Sequence, residues 1–338
     1  MQISPETQLF IREHQTDDVR ALALQARKYP NVDMPTAITQ IAGRQVAAEK
    51  IPSWRDTDDI WYPKHLSLEQ CSSEVTARYK ATLLKGNSLT DLTGGFGIDC
   101  AFLAARFKSA TYVERQQELC EIAAHNFPIL NLNHINVKNE DGVSYLQAMS
   151  PVDCIFLDPA RRNEHGGKTV AISDCEPDVA ELEELLLNKA GQVMVKLSPM
   201  LDLSLALKEL QHVQEVHIIS ANNECKELLL ILGQASVEEI SIHCINLHTR
   251  RTQEEQHFVF TREQEQRSQC TYTDSLGDYL YEPNASLLKA GAFRSIAAAY
   301  PVRKLHPNSH LYTSDTFIEN FPGRIFRIVN QCSFNKKE

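Results

Sequence analysis

The run Asp91-Leu-Thr-Gly-Gly-Phe-Gly-Ile-Asp99 is where this sequence most plainly offers chemistry. Glycines let a backbone turn through positive φ and come close to a ligand. If the run joins a strand to a helix, the helix start adds free N–H groups. Three more acidic residues fall into step with it. Glu114 stands where a second strand would end, and could take both hydroxyls of a ribose. Asp141 follows a third strand and could accept from an adenine amino group. Asp158 ends a fourth, within Leu157-Asp-Pro-Ala-Arg-Arg162. Each alone could be a helix N-cap, but carboxylates at successive strand C-termini face one crevice, where open α/β sheets bind ligands. The candidate cofactor-binding residues are therefore Asp91, Thr93, Gly94, Gly95, Gly97, Asp99, Glu114 and Asp141.

To bring these residues together the chain must form a doubly wound α/β sheet. The hydrophobic rhythm predicts strands over 88–92, 110–114, 134–139, 152–158 and 192–198. It predicts helices over 97–107, 115–126, 142–149, 177–190 and 202–210. Such alternation specifies parallel strands covered by helices. The runs 213–220 and 226–232 are separated by only five residues, too few for a parallel crossover, so they must pair antiparallel. The first 85 residues read as helices, opened by Ser4-Pro5 and by Asp33, with Ser67-x-x-Gln70 as a capping box for a third. Residues 54–66 read as an aromatic loop. Runs 241–249 and 257–261 read as further strands around the charged turn Arg250–Gln256.

Other chemistries fit less well. A nicotinamide fingerprint needs a third glycine where Cys100 stands. The nine cysteines lie at least 19 residues apart, with no C-x-x-C pair, and read as buried free thiols. Cys154 falls inside a strand, so burial suits it better than nucleophilic attack. The one His-x-x-x-His spacing, His306 to His310, runs through the turn formers Pro307 and Asn308 rather than a helix, and no metal is expected. Trp54, Trp61 and Tyr62 could stack on a base or anchor the core.

The strand-ending acids, the Gly loop and the closing hairpin resemble class I S-adenosylmethionine-dependent methyltransferases over residues 75–235. The string Asp158-Pro-Ala-Arg-Arg162 is similar to the D-P-P-x or N-P-P-x loop of those that methylate planar nitrogen. That resemblance implies that Asp158 and the Pro159 carbonyl hold a target amino group, although Ala160 replaces the second proline. Arg161 and Arg162 could hold a phosphate in a bidentate fork, or pair with the acidic helix near 176–184. The phrases at 66–81, 195–202, 224–230 and 279–293 resemble a bacterial RNA-methyltransferase-like family, related to trimethylguanosine-synthase-type enzymes. Its members carry ferredoxin-like and THUMP-like modules. The resemblance implies S-adenosylmethionine as cofactor and a guanine amino group in structured RNA, tRNA or rRNA, as substrate. Ribose 2′-O-methyltransferases offer a second pattern, a Lys-Asp-Lys-Glu tetrad, whose order is matched by Lys80, Asp158, Lys196 and Glu227. Catalytic candidates are thus Asp158, Pro159, Arg161 and Lys196. A protein or small-molecule substrate, or a non-catalytic role, stays open.

The implied organisation is a helical domain over 1–75 and a methyltransferase domain with a seven-stranded sheet over 76–235. A small ferredoxin-like α+β region over 236–320 and the opening of a THUMP-like module over 321–338 follow. Composition agrees with a soluble protein: 338 residues, 43% hydrophobic and 23% charged. Apolar runs such as Leu228–Leu232 fall far short of the roughly 20 residues of a membrane span. The N-terminus has no signal-peptide pattern, so the cytoplasm is the expected compartment. The net charge is −10, yet residues 285–338 carry eight Lys or Arg against three acids. That tail suggests polyanion binding, or an ordinary solvated surface.

Overall fold

A computed structural model describes residues 3–161, 171–249 and 255–332. The chain begins with helices α1 (Pro5–Glu13), α2 (Val19–Leu24), α3 (Met34–Lys50), α4 (Pro52–Arg55), α5 (His65–Gln70) and α6 (Glu74–Leu83). Local chemistry sets their starts. The Ser4 hydroxyl accepts from the Thr7 N–H at 3.2 Å, with Pro5 in the first helical position. Asp33 accepts from the Thr36 N–H at 3.3 Å. The expected Ser67 capping box is corrected: Ser67 lies inside α5, and Ser73 caps α6 through the Thr76 N–H at 3.4 Å. A break at Cys71–Ser72 separates the two helices.

Strands β1 (Ser88–Asp91), β2 (Ser109–Glu114), β3 (Ile135–Asn139) and β4 (Val152–Leu157) follow, alternating with α7 (Ile98–Ala104), α8 (Gln117–Ile129) and α9 (Gly142–Ala148). Next come two short strands, β5 (Ala160–Arg161) and β6 (Cys175–Glu176), then α10 (Val179–Lys189), β7 (Ala190–Leu197) and α11 (Leu203–Glu209). The chain continues through β8 (Val213–Ala221), β9 (Glu224–Gly233), β10 (Ser241–Leu247), β11 (Gln256–Thr261) and α12 (Arg262–Arg267). It ends with β12 (Tyr279–Pro283), α13 (Ala285–Ala290), α14 (Ser295–Ala299), β13 (Arg303–Lys304), β14 (Tyr312–Ser314) and β15 (Gly323–Arg327).

The large sheet has nine strands in the order β11-β10-β8-β9-β7-β4-β1-β2-β3. β1 runs parallel to β2 and β4, and β2 to β3. β8 and β9 pair antiparallel, as their short connection demands. The turn is tighter than expected: Asn222 and Asn223 alone link them, both at positive φ, the geometry of a two-residue hairpin. Seven strands were expected, and two more extend the sheet. β10 pairs parallel with β8, and β11 antiparallel with β10. Most of the turn expected over Arg250–Gln256 lies outside the described residues, since 250–254 are not among them.

Two compact units are present. In the first, which includes residues up to 159 and 181–194, Phe10, Leu22, Met34, Ala37 and Ile41 make one apolar cluster. A second cluster joins Trp54, Tyr62 and Leu68 to Phe96, Tyr112 and Phe127. Helices of the N-terminal region thus share a core with Phe96 of the Gly loop and with β2 and α8. In the second unit, β13-β14-β12-β15 form a separate antiparallel sheet. The segment expected to open a THUMP-like module supplies β15 to that sheet. Among the described residues no helix is long and apolar enough to cross a membrane.

Candidate active site

β1 delivers Asp91 to the start of the glycine loop, where its carboxylate is buried. The Thr93 N–H donates to Oδ1 of Asp91 at 3.0 Å. Oδ2 is buried without a hydrogen-bond partner among the described residues. Burial pushes this carboxyl well above the usual carboxylate range. The Thr93 bond opposes the shift, and the nearby charges of Asp99, Asp158 and Glu114 add to it. Thr93 also reaches across to β4: its hydroxyl accepts the Asp158 N–H at 2.6 Å. One threonine therefore ties the first and fourth strand ends, a role its position in the run did not disclose. Asp158 is half-buried and Pro159 buried.

The loop itself is held from two sides. The Gly94 N–H donates to the Val113 carbonyl at 2.8 Å. A Cβ on Gly94 would lie 2.2 Å from the Tyr112 ring, so no side chain fits there. Gly97 sits at φ +88° and caps α7, a conformation that favours glycine. Glu114 accepts from the Gly95 N–H at 2.9 Å through Oε2 and from the Gln116 N–H at 2.8 Å through Oε1. A carboxylate has about four acceptor positions, so two remain. Phe96 at the loop tip meets Trp54 edge-on, with ring centroids 5.1 Å apart.

Asp141 is the N-cap of α9: its Oδ1 accepts from the Val143 N–H, the Ser144 N–H and the Ser144 hydroxyl. Asp99 faces inward. Its Oδ1 lies 2.9 Å from the Lys80 ammonium, and its Oδ2 accepts from the Ser72 hydroxyl at 2.7 Å. Lys80 in turn donates to Ser72 at 2.7 Å and is fully buried. The ion pair joins α6 to α7 beneath the loop, so Lys80 has a structural task that the tetrad reading did not foresee.

In the second unit, Lys196 is buried in β7 and Glu227 in β9. The Ala160–Arg161 backbone pairs with Cys175–Glu176. The Arg161 side chain and Arg162 lie outside the described residues. Among the other candidates, Cys154 is buried in β4, and burial pushes its thiol up to about 11. Trp54 and Tyr62 belong to the core, whereas half-buried Trp61 stacks on His125 at 3.7 Å between centroids. The basic tail is partly tied down. Arg303 pairs with Asp315, Arg324 with Glu282, and Lys289 and Lys304 donate to the Leu201 and Pro307 carbonyls. Lys336 and Lys337 lie outside the described residues.

Comparison with known proteins gives the arrangement its context. A family model described as protein-L-isoaspartate(D-aspartate) O-methyltransferase matches residues 49–163. A model of a ferredoxin-like domain matches residues 279–322, the stretch holding most of the small sheet. No curated protein matches. Among solved structures, an rRNA methylase from Streptococcus thermophilus aligns at 16% identity and a TM-score of 0.34, over 48% of this chain and 95% of that one. A Streptococcus mutans protein described as a methyltransferase, in complex with SAH, aligns at 14% and 0.35, over 47% of this chain and 96% of that one. A crystal structure from Porphyromonas gingivalis W83, described as a methyltransferase, is far more similar. It shares 37% identity at a TM-score of 0.85, covering 96% of this chain and 81% of that one. At that identity over nearly its whole length, this chain belongs to the same family, methyltransferases whose fold is followed by a ferredoxin-like domain.

Proposed function

We propose that the protein transfers a methyl group from S-adenosylmethionine to an exocyclic amino nitrogen, that of guanine first, in structured RNA. The observation that carries the cofactor assignment is the buried Asp91 oxygen with no partner among the described residues, set beside a backbone loop that admits no side chain at Gly94. A lone buried carboxylate oxygen is costly unless a donor meets it. An amino-acid ammonium is such a donor, so the residues fit the cofactor. When bound, S-adenosylmethionine supplies an electrophilic methyl group on a sulfonium. Asp91 would hold the ammonium, with Thr93, Gly94, Gly95 and Gly97 as the surrounding backbone. Glu114 would take ribose hydroxyls on its two remaining acceptor positions, and Asp141 the adenine amino group through the oxygen not engaged in capping. Asp99 would act indirectly, fixing the start of α7 through Lys80.

Asp158 and the Pro159 carbonyl would accept the two N–H bonds of the target amino group. That turns the nitrogen lone pair outward, toward the methyl, and holds it there. As the N–C bond formed, the methyl–sulfur bond would break and leave a neutral thioether, and the positive charge passed to the nitrogen would be relieved by loss of one proton to the Asp158 carboxylate or to water. Ribose methylation would draw on both tetrad lysines, Lys80 and Lys196, and the engagement of Lys80 by Asp99 and Ser72 favours the amino-group reading. Lys196 has a part only in that other chemistry. The family-model match at 49–163 favours, as a second reading, a protein carboxylate as acceptor.

The test is incubation with tritiated S-adenosylmethionine and total RNA from a strain lacking the protein, then nuclease digestion and nucleoside mass spectrometry. An isoaspartyl peptide serves as the competing acceptor. Labelled N2-methylguanosine is the expected product. A 2′-O-methyl nucleoside, or label on the peptide alone, would overturn the substrate assignment. Failure of calorimetry to detect cofactor binding would overturn the assignment of Asp91.

A further inference from the structure

The second unit gathers ligating side chains that the Gly-loop chemistry does not use. Glu215 and His217 stand two apart on β8 and share a face of the sheet. β10 runs parallel beside β8, with His243 as the direct partner of His217. Their imidazoles stack, with centroids 4.4 Å and planes 16° apart. Oε2 of Glu215 lies 3.1 Å from Nε2 of His217. One ligating atom from each of Glu215, His217 and His243 falls within 4.8 Å of the other two. β11 adds His257, whose Nε2 is 3.2 Å from Nδ1 of His243, and Ser241 Oγ is 3.1 Å from the other ring nitrogen.

We propose that Glu215, His217 and His243 form a binding site for a divalent transition-metal ion, zinc first. Two imidazoles and a carboxylate are a donor set that zinc accepts at three corners, with water at the fourth. Two donors at about 2.05 Å from one tetrahedral zinc stand about 3.3 Å apart, close to the Glu215–His217 separation of 3.1 Å. A modest side-chain turn brings His243 to the same ion. Whichever ring nitrogen His243 offers, the other keeps a partner, His257 or Ser241, that orients the ring as second partners do in metal sites. No helical spacing marks these histidines in the sequence, because strand pairing, not a helix turn, assembles them.

The experiment titrates the full-length, metal-stripped protein with zinc by calorimetry and with cobalt by visible absorption. Wild-type protein should bind one zinc with micromolar or tighter affinity and give the intense d–d bands of four-coordinate cobalt without thiolate charge transfer. Glu215→Gln and His243→Gln, both at partly exposed positions, should fold normally by circular dichroism and weaken binding at least tenfold. His257→Gln should weaken it less. Wild-type affinity no tighter than millimolar would overturn the proposal. So would tight binding that both substitutions leave unchanged, since the ion would then sit elsewhere, the free thiols included. Neither result bears on methyl transfer, which is read separately.

Discussion

Asp91 is the residue on which the proposed cofactor site turns. In the ligand-free protein burial holds its carboxyl well above the ordinary range, so the group tends to keep a proton. An arriving ammonium favours the ionised form, and binding then releases that proton. Cofactor affinity should therefore rise with pH, by up to about tenfold per unit. It should level off once the pH passes the raised value, or once the ligand's own ammonium titrates near pH 8. Calorimetry in buffers of different ionisation enthalpy reads the proton directly; affinity independent of pH, with no proton released, would contradict this account. Asp91→Asn should remove the pH dependence and cost about 1.5–3 kcal/mol of binding, the scale of a charge-assisted hydrogen bond. Asp158 has the complementary signature. Asp158→Ala should abolish turnover in the nucleoside assay while calorimetric cofactor affinity stays within a few-fold, because its N–H bond to Thr93 comes from the backbone.

Among the elements, α6 and α7 are coupled through Lys80, Asp99 and Ser72 under the glycine loop. Removing one member of a buried pair strands the other charge. Lys80→Met should destabilise the fold by about 3–5 kcal/mol in chemical denaturation, with lost cofactor affinity following from a loosened loop. Lys80→Met combined with Asp99→Leu should recover much of that stability. If the single variant were as stable as wild type yet catalytically dead, Lys80 would be acting on substrate and the ribose reading would return. The helix break that makes this pairing available, at Cys71–Ser72, was not legible in the sequence. Ser67-x-x-Gln70 offers the same capping letters as a true helix start, and only packing selects Ser73.

For the molecule as a whole, charge governs how it meets a polyanion. The net charge is −10, and four of the eight basic residues beyond Ala285 are engaged with the chain's own carboxylates or carbonyls. The other four are Arg294 and Arg327, together with Lys336 and Lys337, which lie outside the described residues. RNA binding through this tail should show a log–log salt slope no steeper than about −3.6, the limit for four phosphate contacts. A filter-binding titration across salt concentrations gives the slope, and a value near −8 would point to a basic surface elsewhere.

The amino-acid sequence by itself determined the parallel strands, the glycine loop between β1 and α7, and the antiparallel pairing of β8 with β9. These follow from local causes: hydrophobic period, glycine's reach into positive φ at Gly97, and a connection too short for a crossover. It also placed Asp91, Glu114, Asp141 and Asp158 at or just after strand ends, because such positions are fixed by chain order. Tertiary structure decided what each carboxylate meets. Asp91 keeps an oxygen unpaired among the described residues, Glu114 staples the loop, Asp141 caps a helix and Asp99 neutralises Lys80. The same carboxylate group serves four purposes, since partners distant in sequence set the electrostatics of a buried group. Strand order likewise joined β10 and β11 to the large sheet and brought His217 beside His243. Pairing between strands depends on edges and faces that exist only after the chain has folded, and no spacing along the chain records them.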